Sequence, residues 1–341
     1  MNFVSVENYV LVTDGVFPKY LFLIFTFYLF LTVIFINEIN SKISSLILFF
    51  YLLILSFFFS LNGPDKGSYS FFYTYLMNYS DIFSTLNTVD SPLYYILMVS
   101  VKNLGASYEV FFILQNILIC LALLFLCFKI KNGIYVVFWL WFTHLIIPFS
   151  VRSHLLLFLL PLLYYIGNKW GRGLVALLSV TLHPLMAIFP LVFFYRNKLS
   201  LIKYLVIAGA VLLIFFDYFY NKFSSYILDS HSYFNDSGAF YISPVFEFIE
   251  FTIFYNALKK SSITISFNTK LLLILPVFVS LLSIYLPTLG RFGFGFAFDL
   301  MYVLVLLNYN LKISKPMWLL LCFMAFSRFA KNYIMQEYYI I

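Results

Sequence analysis

The apolar residues of this chain are gathered into runs of roughly 15 to 24 residues, with polar stretches between them. A helix needs about 20 apolar residues to cross the hydrocarbon core of a bilayer. Because the bilayer offers no water to the backbone, such runs must form helices that pair their own peptide groups. The composition, 63% hydrophobic and 10% charged, leaves no stretch for a soluble domain. We therefore predict an all-α, polytopic integral membrane bundle that forms a single transmembrane domain over residues 1–341.

About ten to twelve hydrophobic segments are expected. They lie near residues 18–37, 44–61, 91–104, 107–128, 133–150, 153–167, 172–195, 201–220, 243–258, 270–287, 292–310 and 316–330. None of the three cysteines, all of which lie within apolar runs, has the spacing of a metal site. No glycine loop has the spacing that binds nucleotides. We expect neither a metal nor a cofactor.

Basic residues indicate which ends of the segments face the cytoplasm, because Lys and Arg concentrate in cytoplasmic loops. The clusters are Lys129 and Lys131; Lys169 and Arg172; Arg196, Lys198 and Lys203; Lys259, Lys260 and Lys270; and Lys312 and Lys315. If all of them are cytoplasmic, the two longest polar loops, 62–90 and 221–243, share the outer face. The net charge of +7 then reflects anchoring at the membrane, and nucleic acid is excluded as a partner.

This orientation requires that the runs 91–104 and 172–195 do not cross the membrane completely. In the second run, Pro184 removes a backbone donor and disfavours helical geometry at His183, which divides the run into halves of about 11 residues. Each half reaches about 16 Å, close to the middle of the bilayer. We expect a re-entrant helix pair around His183 and Pro184. A kinked full crossing is the alternative.

Two arginines at the ends of apolar segments indicate an anionic ligand. Arg152 and His154 open one segment, and Arg291 precedes another in which three glycines allow close approach of a backbone or ligand. No acidic residue adjoins either arginine, and a guanidinium fork suits phosphate oxygens. The alternative for Arg291 is an anchor that extends to the membrane surface.

The first outer loop contains an acid and two phenols at a helical spacing. Asp65, Tyr69 and Tyr73 follow one another at intervals of four, which places them on one face of a helix. This set can bind a sugar. The alternative is that Asp65 caps a short helix and that the tyrosines belong to an interfacial belt.

Together these residues resemble a known family. They are Asp65, Tyr69 and Tyr73 after the second segment, the stretch Ser91-Pro-Leu-Tyr-Tyr95 through Leu104 and Gly105, Arg152 at the start of a segment, His183 in the next, and Arg291 late in the chain. The set, spread over roughly residues 60 to 300, is similar to the EpsG-like branch of the Wzy-type polysaccharide polymerases.

The resemblance implies a GT-C-like, metal-independent glycosyltransferase of the bacterial inner membrane. Such an enzyme polymerises oligosaccharide repeat units carried on undecaprenyl pyrophosphate, for O-antigen or exopolysaccharide, at the periplasmic or outer face. The implied partners are the lipid-linked donor and acceptor, the bilayer and a chain-length regulator protein.

The expected chemistry assigns roles to these residues. A pyrophosphate leaving group gains negative charge as the glycosidic bond breaks, and Arg152 and Arg291 can stabilise it. His183 is our candidate for the base that deprotonates the acceptor hydroxyl, with Asp65 orienting the acceptor; Asp65 as the base and His183 as a core residue bonded to a carbonyl freed by Pro184 are the alternatives. His154, Tyr69 and Tyr73 complete the predicted substrate contacts. A flippase or transporter of lipid-linked sugars and a membrane acyltransferase remain open as other functions.

Overall fold

The computed structural model describes residues 19–62, 65–76, 78–84, 91–145, 155–166, 244–261, 267–282 and 292–335, with isolated positions at 171, 174–175, 178, 181–182 and 220. Within these ranges the secondary structure is helical and includes no strand. The all-α part of the predicted fold class is therefore confirmed for the described residues.

The helices are numbered here in chain order. They are α1 (Lys19–Ile39), α2 (Ser41–Asn62), α3 (Asp65–Tyr75), α4 (Tyr79–Ser84), α5 (Pro92–Asn103), α6 (Tyr108–Lys129), α7 (Gly133–Leu140), which continues as a π-helical turn (Trp141–Leu145), α8 (Leu156–Tyr165), α9 (Pro244–Lys260), α10 (Phe267–Leu282), α11 (Phe292–Tyr309) and α12 (Lys315–Met335). Most of these bounds lie within a few residues of the apolar runs.

Local signals account for several of these bounds. Pro92 occupies the first turn of α5, where its missing N–H costs no hydrogen bond. Just beyond the end of α5, Gly105 has a φ of 78°, a left-handed conformation that glycine adopts without strain. Helix α6 carries Glu109 in its first turn and Lys129 in its last, so both charges interact favourably with the helix dipole.

Among the described helices, two are long and apolar enough to cross a membrane by length and composition, namely Phe22–Ile39 and Tyr108–Lys129. Shorter apolar helical stretches occur at Ser41–Ile54, Gly133–His144, Leu273–Leu282 and Phe298–Leu307. Helix α5 reaches only about 18 Å, which is too short for the roughly 30 Å hydrocarbon core. Its length fits the expectation that 91–104 does not cross completely.

Helix α7 lies at the centre of the described bundle. All eight of its residues are buried, and so are Trp141, Phe142, Thr143 and His144 in the π-helical turn that follows. A helix that is apolar on every side must be surrounded by other helices. Helices α1, α6 and α12 pack around it.

Close contact between α6 and α7 depends on a glycine. A Cβ on Gly133 would overlap the carbonyl oxygen of Leu126 and would lie 2.8 Å from the Cα of Cys127. The preceding residue, Asn132, has a φ of 62°, and its side-chain amide donates a hydrogen bond to the carbonyl of Ile313 at 3.2 Å. The turn before α7 is thereby held against the turn before α12.

Aromatic rings fill much of the interior. The ring of Phe30 on α1 lies 4.8 Å from that of Phe138 and 5.6 Å from that of Phe142, both edge to face. On α2, Tyr51 contacts Trp141 at 5.5 Å. Edge-to-face aromatic pairs of this kind add stability beyond the apolar area they bury.

Candidate functional site

Four of the seven sequence-predicted site residues, Arg152, His154, His183 and Arg291, lie outside the described residues. The break at His183 and Pro184 and the outer loop 221–243 also lie outside them. Asp65 is the first residue of α3, and its backbone alone is described.

Tyr69 and Tyr73 lie on one face of α3, as the spacing of four predicts. Both side chains are buried, and this face packs against α5. The ring of Tyr69 contacts that of Tyr94 at 5.4 Å, and the Tyr73 hydroxyl donates to the carbonyl of Ala106 at 2.8 Å. Burial raises the pKa of the Tyr73 phenol, and the charge of Glu109 raises it further, so this hydroxyl remains a donor. A sugar-binding role for the two tyrosines remains a prediction.

A lysine closes the end of the same helix. The ammonium of Lys102, on α5, donates to the carbonyls of Tyr73, Thr74 and Leu76 at 2.7, 2.9 and 3.2 Å. These carbonyls lie at the C-terminal end of α3, where a positive charge also complements the helix dipole. Helices α3 and α5 are therefore joined by both ring packing and charge-assisted hydrogen bonds.

A second group of polar residues, none of which belongs to the site predicted from the sequence, lies deep in the bundle. Glu247 and Glu250 are three residues apart on α9, and Asp299 is on α11. Their exposed fractions are 3%, 1% and 1%. One carboxylate oxygen from each lies within 4.8 Å of the other two. We call these three residues the acid cluster.

The acid cluster includes a contact with a histidine. His144, on the π-helical turn, is 3% exposed, and its Nε2 lies 2.5 Å from Oδ2 of Asp299. Its ring packs edge to face on Phe296, one turn before Asp299. Single π-helical turns occur frequently at functional sites, because they redirect side chains that a regular helix would place elsewhere.

Two further side chains act on the carboxyl groups. The indole N–H of Trp139, on α7, donates to Oε1 of Glu250 at 2.6 Å. Arg328, on α12, is close enough for its charge to act on all three carboxyl groups, and its guanidinium lies 5.5 Å from the ring centre of Phe246. The site thus draws on α7, the π-helical turn, α9, α11 and α12.

Two oxygens of the acid cluster have no hydrogen-bond partner. They are Oε2 of Glu247 and Oδ1 of Asp299, and both are fully shielded from solvent. A buried acceptor without a donor costs about 1–3 kcal/mol, and more if it is charged. A cation can remove this cost by direct coordination.

The position of the acid cluster along the helices follows from the contacts at one end of the bundle. The ion pair between Glu38 and Lys315, together with the contact of Asn132 with Ile313, brings the ends of α1, α7 and α12 together there. Four lysines make this the basic end of the bundle: Lys129 and Lys131 just before α7, Lys312 just before α12 and Lys315 at the start of α12. His144 lies about 18 Å along its helix from Asn132, and Arg328 about 20 Å from Lys315. The site therefore lies far from this basic end.

The sequence did contain a signal for these residues. Glu247, Glu250 and Asp299 interrupt otherwise apolar segments, and an ionisable residue inside such a segment is a candidate for function. The spacing of three places both glutamates on one side of α9. That Asp299 and His144 join them follows only from helix packing.

Comparison with protein-family models, with curated proteins and with solved structures found no match to this chain.

Proposed function

We propose that this protein is a multi-pass membrane glycosyltransferase that joins oligosaccharide repeat units carried on undecaprenyl pyrophosphate. The resemblance to the Wzy-type polymerases motivates the proposal. Its support in the structure is the packing of α3 on α5, because these helices contain two of the segments on which the resemblance rests. The contacts of Tyr69 with Tyr94, of Tyr73 with Ala106 and of Lys102 with the end of α3 make these segments one unit.

Multi-pass insertion in the membrane is supported by the outward side chains of the first two helices. Ile24, Phe25, Tyr28 and Phe35 on α1 are 65%, 52%, 68% and 69% exposed. Phe50 on α2 is 58% exposed. Large apolar surfaces of this kind are costly in water and are normal against lipid. In the proposed topology, the basic end of the bundle faces the cytoplasm and the unit of α3 and α5 faces outward.

The proposed reaction needs a site for the pyrophosphate and a base for the acceptor hydroxyl. Arg152 and Arg291 are assigned to the pyrophosphate, and His183 is assigned to the hydroxyl, with Asp65 orienting the acceptor. Helix α11 begins directly after Arg291 and carries Asp299 two turns later. Arg291 is therefore close in sequence to the buried polar site.

Measuring the length of lipid-linked oligosaccharides in bacterial cells with and without the protein tests this function. Cells that lack a polymerase should accumulate single repeat units outside, and re-expression should restore long chains. Full-length polymer in the deletion strain would contradict the proposal and favour an acyltransferase. The absence of repeat units outside would contradict it in favour of a flippase.

A further inference from the structure

We propose that the acid cluster of Glu247, Glu250 and Asp299 binds one divalent metal ion of the oxygen-preferring class, with the imidazole of His144 beside it. The inference does not rest on the proposed function. It also departs from the metal-independent chemistry that the family resemblance implies.

The geometry of the acid cluster is close to that of a metal site. One oxygen from each of the three carboxylates lies within 4.8 Å of the others. Ligands at about 2.0–2.2 Å from a Mg²⁺ or Mn²⁺ ion are separated by roughly 3–4 Å, so small side-chain rotations suffice to close the site. Carboxylate oxygens suit Mg²⁺, Ca²⁺ and Mn²⁺.

The unpartnered oxygens indicate a cation independently of the spacing. Oε2 of Glu247 and Oδ1 of Asp299 are shielded from solvent and receive no hydrogen bond. Two of the cluster's other oxygens have partners: Oε1 of Glu250 accepts from Trp139, and Oδ2 of Asp299 contacts His144. The two unpartnered oxygens belong to different helices, α9 and α11, which a metal ion would join.

The charge of the site agrees with a divalent ion. With a metal ion bound, three ionised carboxylates would carry three negative charges, and Arg328 supplies one positive charge near them. A neutral His144 leaves two negative charges to be balanced in a buried volume, where unbalanced charge is very costly. A divalent ion balances both. The competing arrangement, in which the carboxyl groups retain protons, requires no metal.

Titration of the purified full-length protein in detergent with Mn²⁺ tests the proposal. Free Mn²⁺ has a sharp electron paramagnetic resonance spectrum that is lost on binding, so the signal counts bound ions. We expect one Mn²⁺ per chain, displaced by excess Mg²⁺, and a rise in melting temperature with Mn²⁺ concentration. Wild-type protein that binds no Mn²⁺ up to roughly 1 mM would overturn the proposal.

Substitutions locate the ion. Glu247→Gln and Asp299→Asn should each weaken Mn²⁺ binding at least about tenfold, because an amide oxygen is a weaker ligand than a carboxylate. Glu109→Gln, at an exposed position on α6, is the matched control and should bind as the wild type does. Wild-type affinity in both cluster variants would contradict the assignment. A Glu247→Gln protein that is more stable than wild type in saturating Mn²⁺ would also contradict it. That result is expected if the wild-type acid is buried without a compensating metal ion.

A measurement without any substitution keeps the proposal testable if the variants fail to fold. Tb³⁺ takes oxygen ligands and emits when a nearby indole is excited, and Trp139 contacts Glu250 directly. Excitation of tryptophan in the wild-type protein should produce Tb³⁺ emission that Mn²⁺ abolishes by competition. Emission that Mn²⁺ leaves unchanged would overturn the proposal. None of these experiments includes a sugar substrate, so their failure leaves the polymerase proposal untouched.

Discussion

At the residue scale, the side chains with the greatest energetic consequence are the buried ionisable ones. In the acid cluster, Oε1 of Glu250 accepts a hydrogen bond from the indole N–H of Trp139, and Oδ2 of Asp299 is hydrogen-bonded to Nε2 of His144. These bonds lie in an interior of low polarity, where a satisfied bond is strong and an unsatisfied group is costly. Single substitutions here should therefore have large effects.

Trp139→Phe should lower the stability of the protein by about 1–3 kcal/mol, because it leaves Oε1 of Glu250 buried without a donor. The measurement is thermal unfolding in detergent of Trp139→Phe, Glu250→Met and the double variant. The double variant should lose less than the sum of the two single losses, since the second substitution removes an already broken contact. Strictly additive losses would show that the bond contributes nothing.

Arg152→Lys and Arg291→Lys should each abolish most polymerisation at normal expression. A lysine keeps the charge but cannot reproduce the two parallel hydrogen bonds of a guanidinium to phosphate oxygens. Polymer length in cells measures the effect. Arg196→Lys, at a predicted cytoplasmic position, is the control and should behave as the wild type. Wild-type chain length in both test variants would contradict phosphate binding and favour membrane anchoring as the role of the two arginines.

His183→Ala should reduce polymerisation by about 10²- to 10⁴-fold if the imidazole is the general base. The protein should remain folded and should still bind the lipid-linked substrate. A structural histidine would instead lower expression or the melting temperature. Activity within a few-fold of wild type, measured with purified protein in vitro, would refute the base role and favour Asp65 or His154.

At the scale of elements, two helix contacts organise the described fold. Helix α7 is enclosed on all sides, and its approach to α6 depends on the missing side chain of Gly133. Helix α3 is amphipathic and short, so it depends on α5 for its position. The end of α3 is held by a single lysine on that helix.

Lys102→Met should loosen α3 without unfolding the bundle. The substitution keeps most of the apolar stem and removes the charge that three carbonyls share at the end of α3. Amide hydrogen exchange should become faster in residues 70–76 and remain unchanged in α6. Lys131→Met, at an exposed position, is the matched control. Unchanged exchange in α3 would show that ring packing alone holds it.

At the scale of the whole molecule, the charge distribution and the contacts agree on one basic end. The turns at Asn132 and Ile313 meet there, beside the ion pair of Glu38 and Lys315. The acid cluster lies about 15–20 Å away along the helices, toward the ends that the proposed topology places outside. The aromatic interior around α7 lies between a site at this depth and the basic end.

The proposed topology requires that residues 62–90 and 221–243 share the outer face. Single cysteines at Ser68 and Ser232 should both react with a membrane-impermeant maleimide added to cells whose outer envelope is permeabilised and whose inner membrane is intact. The unsubstituted protein, with Cys120 and Cys322 buried and Cys127 partly buried, is the control for background labelling. Labelling of the two positions from opposite sides would refute this topology and the re-entrant pair at His183 and Pro184.

The sequence alone determined where most of the described helices begin and end. The apolar runs, the proline at the start of α5 and the dipeptide Asn132-Gly133 before α7 are local features, and helix bounds depend mainly on local hydrophobicity and backbone chemistry. The sequence also determined that Tyr69 and Tyr73 share a face, because the period of a helix requires it.

Only the tertiary structure decided which residues meet. His144 and Asp299 are 155 positions apart, and Trp139 and Glu250 are 111 apart, so no local pattern relates them. Their contacts follow from the way α9, α11 and α12 pack around α7 and its π-helical turn. Helical periodicity places Tyr69 and Tyr73 on one face of α3, but only the packing of the helices determines that this face contacts α5. Polar groups in an apolar interior lose water on every side, so the helix arrangement that supplies their partners creates the site.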